Sequence, residues 1–177
     1  SMCYSLKSIL NKAGHKTNLY TSPHLLSYTE RYIFDDKEIN EEDLIELLTD
    51  VEKTLGDDNA TLFEILTCAF LKYAENFKDN INIIEAGLFH QFDSTNVFKE
   101  NLMTLIGVIH NDHFQWLENK SIEGVIYEKT AKLLNSNIFI NKQVNNEIRD
   151  KIEKSLEKNT SNKYFFGKDF NIAKSKN

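Results

Sequence analysis

The sequence predicts an α/β fold in which helices flank a doubly wound, mainly parallel β-sheet. Segments with helical and strand patterns alternate along the chain, which favours parallel strands joined by helical crossovers. Two strand segments, INIIEAG (81–87) and LMTLIGVI (102–109), are apolar with little alternation, as in strands covered on both faces. With 177 residues and 41% hydrophobic content, we expect one domain over 1–170 and a polar tail at 171–177.

The chain is expected to begin with a helix that Gly14 ends. Five apolar side chains recur on one face of this segment: Cys3, Leu6, Ile9, Leu10 and Ala13. A short strand in KTNLYT (16–21) follows, because the only proline, Pro23, disfavours helix at Ser22. This strand should therefore end in a loop.

Two helices are predicted next. Asn40 can cap the first, whose opening turn carries three acidic residues that suit the positive end of the helix dipole. Its buried stripe is Leu44, Leu47, Leu48 and Val51. The second begins with Thr61 and has Glu64 three positions later, which is the spacing of a capping box.

The second half continues the alternation. Ser121 is a candidate cap for a helix over 122–134, and NIFI (137–140) has the composition of a strand. An amphipathic helix over 144–158 and a short strand at 163–167 complete the pattern.

Composition excludes several classes of function. A net charge of −6 and a pI near 5.4 argue against a nucleic-acid partner or an anionic membrane surface, which require clustered cations. Two cysteines are too few for a disulfide framework, so a reducing, cytoplasmic setting is expected. The sequence shows no signal segment and no apolar run long enough to span a membrane.

Polar side chains follow three predicted strands. They are Ser22 and His24, then Glu85 and Asp93, then His110, Asp112 and His113. Because ligands of parallel sheets bind beyond the carboxyl ends of the strands, these groups could converge on a divalent cation.

Each of these residues also has an ordinary structural interpretation. Ser22 and Asp93 suit turns, and Lys129 suits the surface of a helix. His110 and His113 are spaced like a helical metal pair, but they follow a strand and lack the glutamate of a zincin. A metal-dependent hydrolase that uses these two histidines with Glu85 therefore ranks last among the hypotheses.

Several segments, in this order, resemble the ATP-binding domain of folylpolyglutamate synthase and dihydrofolate synthase, members of the Mur ligase superfamily. The most specific are Thr-Ser-Pro-His-Leu at 21–25, Asp-x-Thr-Asn at 93–96, and Asp112-His113 followed by Trp116-Leu117. TLFEILTCAF, YEKTAKL and FFGKDF add to the match, which runs through nearly the whole chain. The resemblance implies a Mur ligase-like P-loop ATPase domain, here incomplete.

The resemblance also implies a reaction and its participants. Enzymes of this family use ATP and Mg²⁺ to phosphorylate a carboxylate of dihydropteroate or folate, and the amine of L-glutamate then displaces the phosphate. Magnesium would bind Ser22, Glu85 and His113, and Lys129 matches a lysine that becomes carbamylated in the family. The pterin or folate would contact Thr61, Leu62, Phe63, Glu64, Phe92, Asp93 and Ser94.

The chain departs from the family pattern in several places, one of which is Thr130-Ala131, where the family has Ala-Gly after its lysine. The family phosphate loop ends in Gly-Lys-Gly-Ser, and Ser1 matches that serine, so we expect ATP contact at Ser1 without the rest of the loop. The family's Gly-Gly-Arg is replaced by Phe89-His90-Gln91, which changes backbone freedom and charge. We therefore expect a chain that lacks the phosphate loop and C-terminal domain and is inactive without that remainder. The alternative is a non-catalytic folate- or metal-binding module.

Overall fold

The computed structural model describes residues 1–134 and 136–173, and its strands and helices fall into two units. The N-terminal unit is Ser1–Gly87 and the C-terminal unit is Leu88–Asn177. Each unit has its own sheet and its own hydrophobic core.

The N-terminal unit contains a four-stranded sheet with the order β3-β2-β1-β4. Strand β1 is parallel to β4 and antiparallel to β2, which forms a hairpin with β3. The elements are α1 (Met2–Lys12), β1 (Thr17–Tyr20), a 3₁₀ helix (Tyr28–Arg31), β2 (Tyr32–Phe34), β3 (Lys37–Glu38), α2 (Glu41–Leu55), α3 (Leu62–Ala74), a second 3₁₀ helix (Glu75–Phe77) and β4 (Ile81–Ile84). All four residues of β1 are buried, as its central position requires.

The C-terminal unit contains three parallel strands in the order β5-β6-β7. Helices α4 and α5 lie between consecutive strands in the sequence, which is the βαβ arrangement. The elements are β5 (Met103–Ile106), a 3₁₀ helix (Phe114–Trp116), α4 (Ile122–Thr130), β6 (Asn137–Ile140), α5 (Asn146–Ser155) and β7 (Asn162–Phe165).

The predicted helix starts are confirmed at their capping side chains. Asn40 Oδ1 accepts from the Asp43 amide at 2.8 Å, and Ser121 Oγ accepts from the Gly124 amide at 3.2 Å. Gly14, after α1, has φ +91°, a conformation that glycine adopts without strain.

The predicted α/β class is confirmed, but four details differ. The strands form two sheets, and the β2–β3 hairpin was not predicted; it turns through two aspartates at positive φ, Asp35 and Asp36. Helix α4 ends at Thr130 instead of 134, because Lys132 has φ +56°, outside the helical region. Helix α5 starts at Asn146, where Asn145 caps it. The end of the predicted tail, 174–177, lies outside the described residues.

No helix in the described ranges combines the length and apolar character that crossing a membrane requires.

Candidate functional site

Two of the predicted ligand residues meet at one edge of the N-terminal sheet. Strands β1 and β4 are in parallel register, with Tyr20 opposite Ile84, so the residues after them emerge at the same edge. The Glu85 amide donates to the Tyr20 carbonyl at 2.9 Å, and the Ser22 amide donates to Glu85 Oε2 at 3.1 Å. The expected convergence of these two strand ends is therefore confirmed.

The carboxylate of Glu85 also lies near the first turn of α1. Burial raises the pKa of the Cys3 thiol to about 11, and the negative charge of Glu85 contributes in the same direction. Cys3 is therefore a neutral thiol at ordinary pH, not a thiolate nucleophile. Glu85 Oε1 accepts no hydrogen bond from the described residues, so this oxygen is available to a cation.

The loop after Ser22 is fixed by a carboxylate that sequence reasoning did not single out. Glu30 accepts from the amides of Leu25, Leu26 and Ser27, each at 2.8 Å. These donors hold the pKa of Glu30 below its ordinary value. Ser27 and Glu30 also form a capping box around the 3₁₀ helix. The Ser-x-x-Glu spacing in the sequence was the signal for it.

The predicted pterin residues at 61–64 form the start of α3. Glu64 Oε2 accepts from the Thr61 amide at 2.7 Å, and Thr61 Oγ1 accepts from the Glu64 amide at 3.3 Å. The capping box is therefore confirmed, and it accounts for the lowered pKa of Glu64. Phe63 stacks on Tyr20 with ring centroids 6.1 Å apart, whereas Leu62 is exposed. Contact of these residues with a pterin stays a prediction.

Asp93 organises the corresponding loop of the C-terminal unit. Its Oδ2 accepts from the Leu88 amide at 3.0 Å, and its Oδ1 accepts from the amide and hydroxyl of Thr95 at 3.0 and 2.6 Å. Next to it, Phe92 is 81% exposed, and the ammonium of Lys132 lies 4.9 Å from its ring centroid. An exposed ring beside a fixed carboxylate can pack on a flat ligand.

The residues that replace the family glycines and arginine are incompletely satisfied. His90 Nε2 and Gln91 Oε1 are buried and have no hydrogen-bond partner among the described residues. Burial lowers the pKa of His90, against the smaller opposing effects of Asp93 and of a hydrogen bond with the backbone of Lys132. His90 is thus a neutral imidazole at ordinary pH.

Lys129 lies beside the same loop. Its Nζ donates to the Leu88 carbonyl at 3.2 Å and lies 5.7 Å from the Phe89 ring centroid. Burial lowers the pKa of Lys129, although the charges of Asp112 and Asp93 act against it. A larger neutral fraction makes this amine a better nucleophile than an exposed lysine.

The predicted ligand His113 is held by its neighbour. Its Nε2 lies 3.3 Å from Asp112 Oδ2, and its amide donates to Asp112 Oδ1 at 2.8 Å. His113 has φ +59°, and its ring meets Phe89 edge to face. Residues 1–134 and 136–173 contain no group of three or more His, Cys, Asp or Glu side chains placed to hold a metal ion. The predicted magnesium ligands include only two such side chains, since the third is a serine.

Two open surface depressions lie elsewhere in the N-terminal unit. One of about 420 Å³ lies between α1 and Asp36, and another of about 530 Å³ lies between α2 and Tyr73. Neither is lined by a predicted site residue, so shape alone does not identify the site.

The chain has relatives among characterised proteins, although no protein-family profile matches it. It is 36% identical over 133 residues to the dihydrofolate synthase/folylpolyglutamate synthase of Bacillus subtilis, a match that covers 71% of this chain and 30% of that protein. It is 34% identical over 115 residues to the Escherichia coli protein of the same name, with coverage of 65% and 27%. The chain thus spans less than a third of the length of these relatives.

The fold of the chain is also similar to that of solved structures. E. coli FolC in complex with DHPP and ADP superposes with a TM-score of 0.85 at 26% identity, covering 98% of this chain and 41% of that one. The bifunctional enzyme of Yersinia pestis, complexed with AMPPNP and a Mn ion, gives a TM-score of 0.84 at 26% identity, with coverage of 97% and 41%.

Proposed function

Because the chain belongs to the dihydrofolate synthase/folylpolyglutamate synthase family, we propose that it is part of a ligase that joins L-glutamate to dihydropteroate or folates at the expense of ATP. The main support within the chain is the pair of strand ends that bring Ser22 and Glu85 together. On this proposal the chain contributes one part of the ligase, since its matches cover 27% and 30% of these two relatives.

The reaction has two steps on this proposal. A carboxylate oxygen of the folate or pteroate attacks the γ-phosphorus of ATP, and ADP leaves. The glutamate amine then attacks the carbonyl carbon of the acyl phosphate; phosphate leaves with the bonding electrons, and an amide forms. Activation is necessary because a carboxylate is a poor electrophile.

The residues after β1 and β4 fit a magnesium ion. Mg²⁺ prefers oxygen ligands, and Glu85 Oε1 and the Ser22 hydroxyl are oxygens at one sheet edge. A bound magnesium ion would withdraw charge from the transferring phosphoryl group. Glu85 contributes fixed negative charge, and its bond from the Ser22 amide keeps the carboxylate oriented. His113 is the proposed third ligand.

The remaining predicted site residues are proposed to contact the pterin and the nucleotide and to support the metal site. Asp93 would accept hydrogen bonds from the N–H groups of a pterin, with Phe92 and Ser94 beside it. The family resemblance also makes residues 61–64 proposed pterin contacts. Ser1 would contact the nucleotide. The neutral amine of Lys129 would attack the carbon of CO₂ and release one proton to solvent, and the resulting carbamate would be an anion.

A metal-binding measurement tests whether Glu85 is a metal ligand. Manganese titration followed by water proton relaxation should give a saturable site in the wild type. E85Q is expected to weaken it at least tenfold, because a neutral amide is a poor ligand for a hard cation. E118Q, at an exposed glutamate, is the control. Equal affinity in E85Q and wild type would exclude Glu85 as a ligand.

Carbamylation needs a separate test. Carbon-13 NMR under labelled CO₂ should show a carbamate carbonyl signal that disappears in K129R and persists in K120R. A spectrum without that signal at alkaline pH would show that Lys129 acts only through its contacts with Leu88 and Phe89.

A second candidate is a non-catalytic module that binds folate or a metal ion. Buried atoms of His90 and Gln91 that bond to none of the described residues favour it, because they lie where the family pattern is lost. Calorimetry with dihydropteroate, folate and Mg-ATP distinguishes the two: binding of the pterin without the nucleotide supports the module. ATP-dependent ligation by this chain alone would contradict the proposed dependence on the rest of the enzyme.

A further inference from the structure

Arg31 is a mostly buried cation that pairs with no carboxylate in residues 1–134 and 136–173. Its side chain belongs to a residue that is only 9% exposed, at the end of the 3₁₀ helix of the N-terminal unit. Within the described ranges, no Asp or Glu oxygen lies within 4.0 Å of its guanidinium nitrogens. Burial removes most of this side chain from water without a neighbouring carboxylate to offset the lost hydration, which is costly.

The contacts of Arg31 fix one side of the guanidinium and leave the other unbonded. Its Nε donates to His24 Nδ1 at 2.9 Å. Its Cζ lies 5.6 Å from the ring centroid of Tyr28, which in turn lies 4.1 Å from the His24 ring. The two terminal nitrogens make no hydrogen bond to the described residues, and neither nitrogen is fully buried.

The surroundings hold this arrangement in place. The three amide donors to Glu30 fix the loop that carries His24 and leads into the 3₁₀ helix, which begins at Tyr28. The Arg31 carbonyl accepts from the Thr21 amide at 3.2 Å, which joins the 3₁₀ helix to the end of β1. The backbone that carries the guanidinium is therefore fixed. It is bonded to Thr21, the residue that precedes Ser22.

We propose that the terminal nitrogens of Arg31 bind the paired oxygens of an anionic group on a ligand, either a carboxylate or a phosphoryl group. A planar guanidinium matches two such oxygens with two parallel hydrogen bonds. His24 and Tyr28 act as positioning residues, because they hold the plane of the guanidinium without contacting the anion. The inference goes beyond the proposed ligase activity and does not depend on it.

Titration of the full chain with simple anions tests the proposal. The probes are inorganic phosphate and glutarate, each added separately, and the readout is the Nε–Hε NMR signal of Arg31. The only other arginine, Arg149, is paired with Asp150 at 2.8 Å and serves as the internal control. We expect a saturable shift of the Arg31 signal while the Arg149 signal stays constant.

The two probes distinguish the two sources of the anion. A shift with glutarate alone identifies a carboxylate site, a shift with phosphate alone identifies a phosphoryl site, and a shift with both supports the shared chemistry. No saturable shift with either probe, or an equal shift at Arg149, would overturn the proposal and leave Arg31 as a packing residue.

Two variants separate binding from folding. R31K keeps the charge but lacks the planar fork, so its affinity for the effective probe should fall roughly tenfold. R31Q should abolish the saturable shifts of neighbouring backbone amides. R149Q, the matched control, should bind as the wild type does. Unchanged affinity in R31K, whose cation can still fill the space, contradicts bidentate binding even if R31Q proves unstable.

Discussion

The two units bury different kinds of core. In the N-terminal unit, the Phe70 ring lies 5.0 to 6.4 Å from those of Tyr20, Tyr32 and Phe34. The C-terminal core is mainly aliphatic, with Ile138, Ile140 and Ile152 fully buried. Packing tyrosines into a core buries their hydroxyl groups, which then need hydrogen-bond partners. The Tyr32 hydroxyl accordingly donates to the Leu66 carbonyl at 2.9 Å.

The loops after β1 and β4 differ in how completely their polar groups are hydrogen-bonded. The loop that keeps the Thr-Ser-Pro-His-Leu motif has its backbone donors satisfied by Glu30. The loop that departs from the family pattern leaves buried atoms of His90 and Gln91 without hydrogen-bond partners in the part of the chain that the structure describes. Departure from the motif thus coincides with a local cost, since each unsatisfied buried group destabilises by about 1–3 kcal/mol.

The largest expected effect concerns the aromatic core. Phe70→Ala should lower the free energy of unfolding by about 3–5 kcal/mol, because it opens a cavity among three rings. Ile138→Val, a smaller truncation in the aliphatic core, should lower it by about 1 kcal/mol. Amide exchange in β1 and β6 under denaturant measures both. Similar losses for the two variants would show that the cores do not differ in this respect.

Asp93 should give the next largest effect. Asp93→Ala removes the acceptor for the Leu88 amide and for both Thr95 donors, which should lower the free energy of unfolding by about 2 kcal/mol. Urea unfolding measures the loss, and Asp57→Ala, at an exposed position, is the control. If both variants unfold alike, the Asp93 hydrogen bonds contribute nothing to stability and its role is confined to ligand binding.

Local sequence signals predicted the features that depend on neighbouring residues. Caps at Asn40, Thr61 and Ser121 depend on spacings of three, and the meeting of Ser22 with Glu85 follows from parallel strand order. These features of the fold and of the candidate site could therefore be read before any coordinates.

Features that depend on tertiary packing could not be predicted in this way. The bond from Arg31 to His24 depends on how the loop folds back, and the β2–β3 hairpin turns through Asp35 and Asp36, a weaker signal than Asn-Gly. The unpartnered state of His90 Nε2 depends on what surrounds it in space. Spacing carries no information about such contacts.

Acidification should have a smaller effect on stability, through Glu30 and the loop after β1. The pKa of Glu30 is lowered from 4.5, so its contribution to stability is complete above that pH. It is lost as the pH falls from 4.5 through the folded-state pKa. In Glu30→Gln, the amides of Leu25, Leu26 and Ser27 should exchange faster at neutral pH, and this acid-induced loss should be smaller than in the wild type. Glu118→Gln should keep the wild-type exchange rates; matching rates in Glu30→Gln would refute the anchoring role of Glu30.

The smallest effect on stability should come from His90, in the loop after β4, and it should appear at a higher pH than the effect of Glu30. Burial lowers the pKa of His90 from 6.5, so the unfolded chain binds the proton first as the pH falls. Stability should therefore decline from about pH 6.5 downward, until the pH passes the folded-state pKa and the loss levels off. His90→Gln removes the titrating group, and urea unfolding between about pH 8 and about pH 5 should show a shallower slope. His15→Gln, at an exposed histidine, should retain the wild-type slope. If His90→Gln also retains it, the imidazole of His90 is as accessible to protons in the folded protein as in the unfolded chain, and the contrast between the two loops is confined to hydrogen bonding.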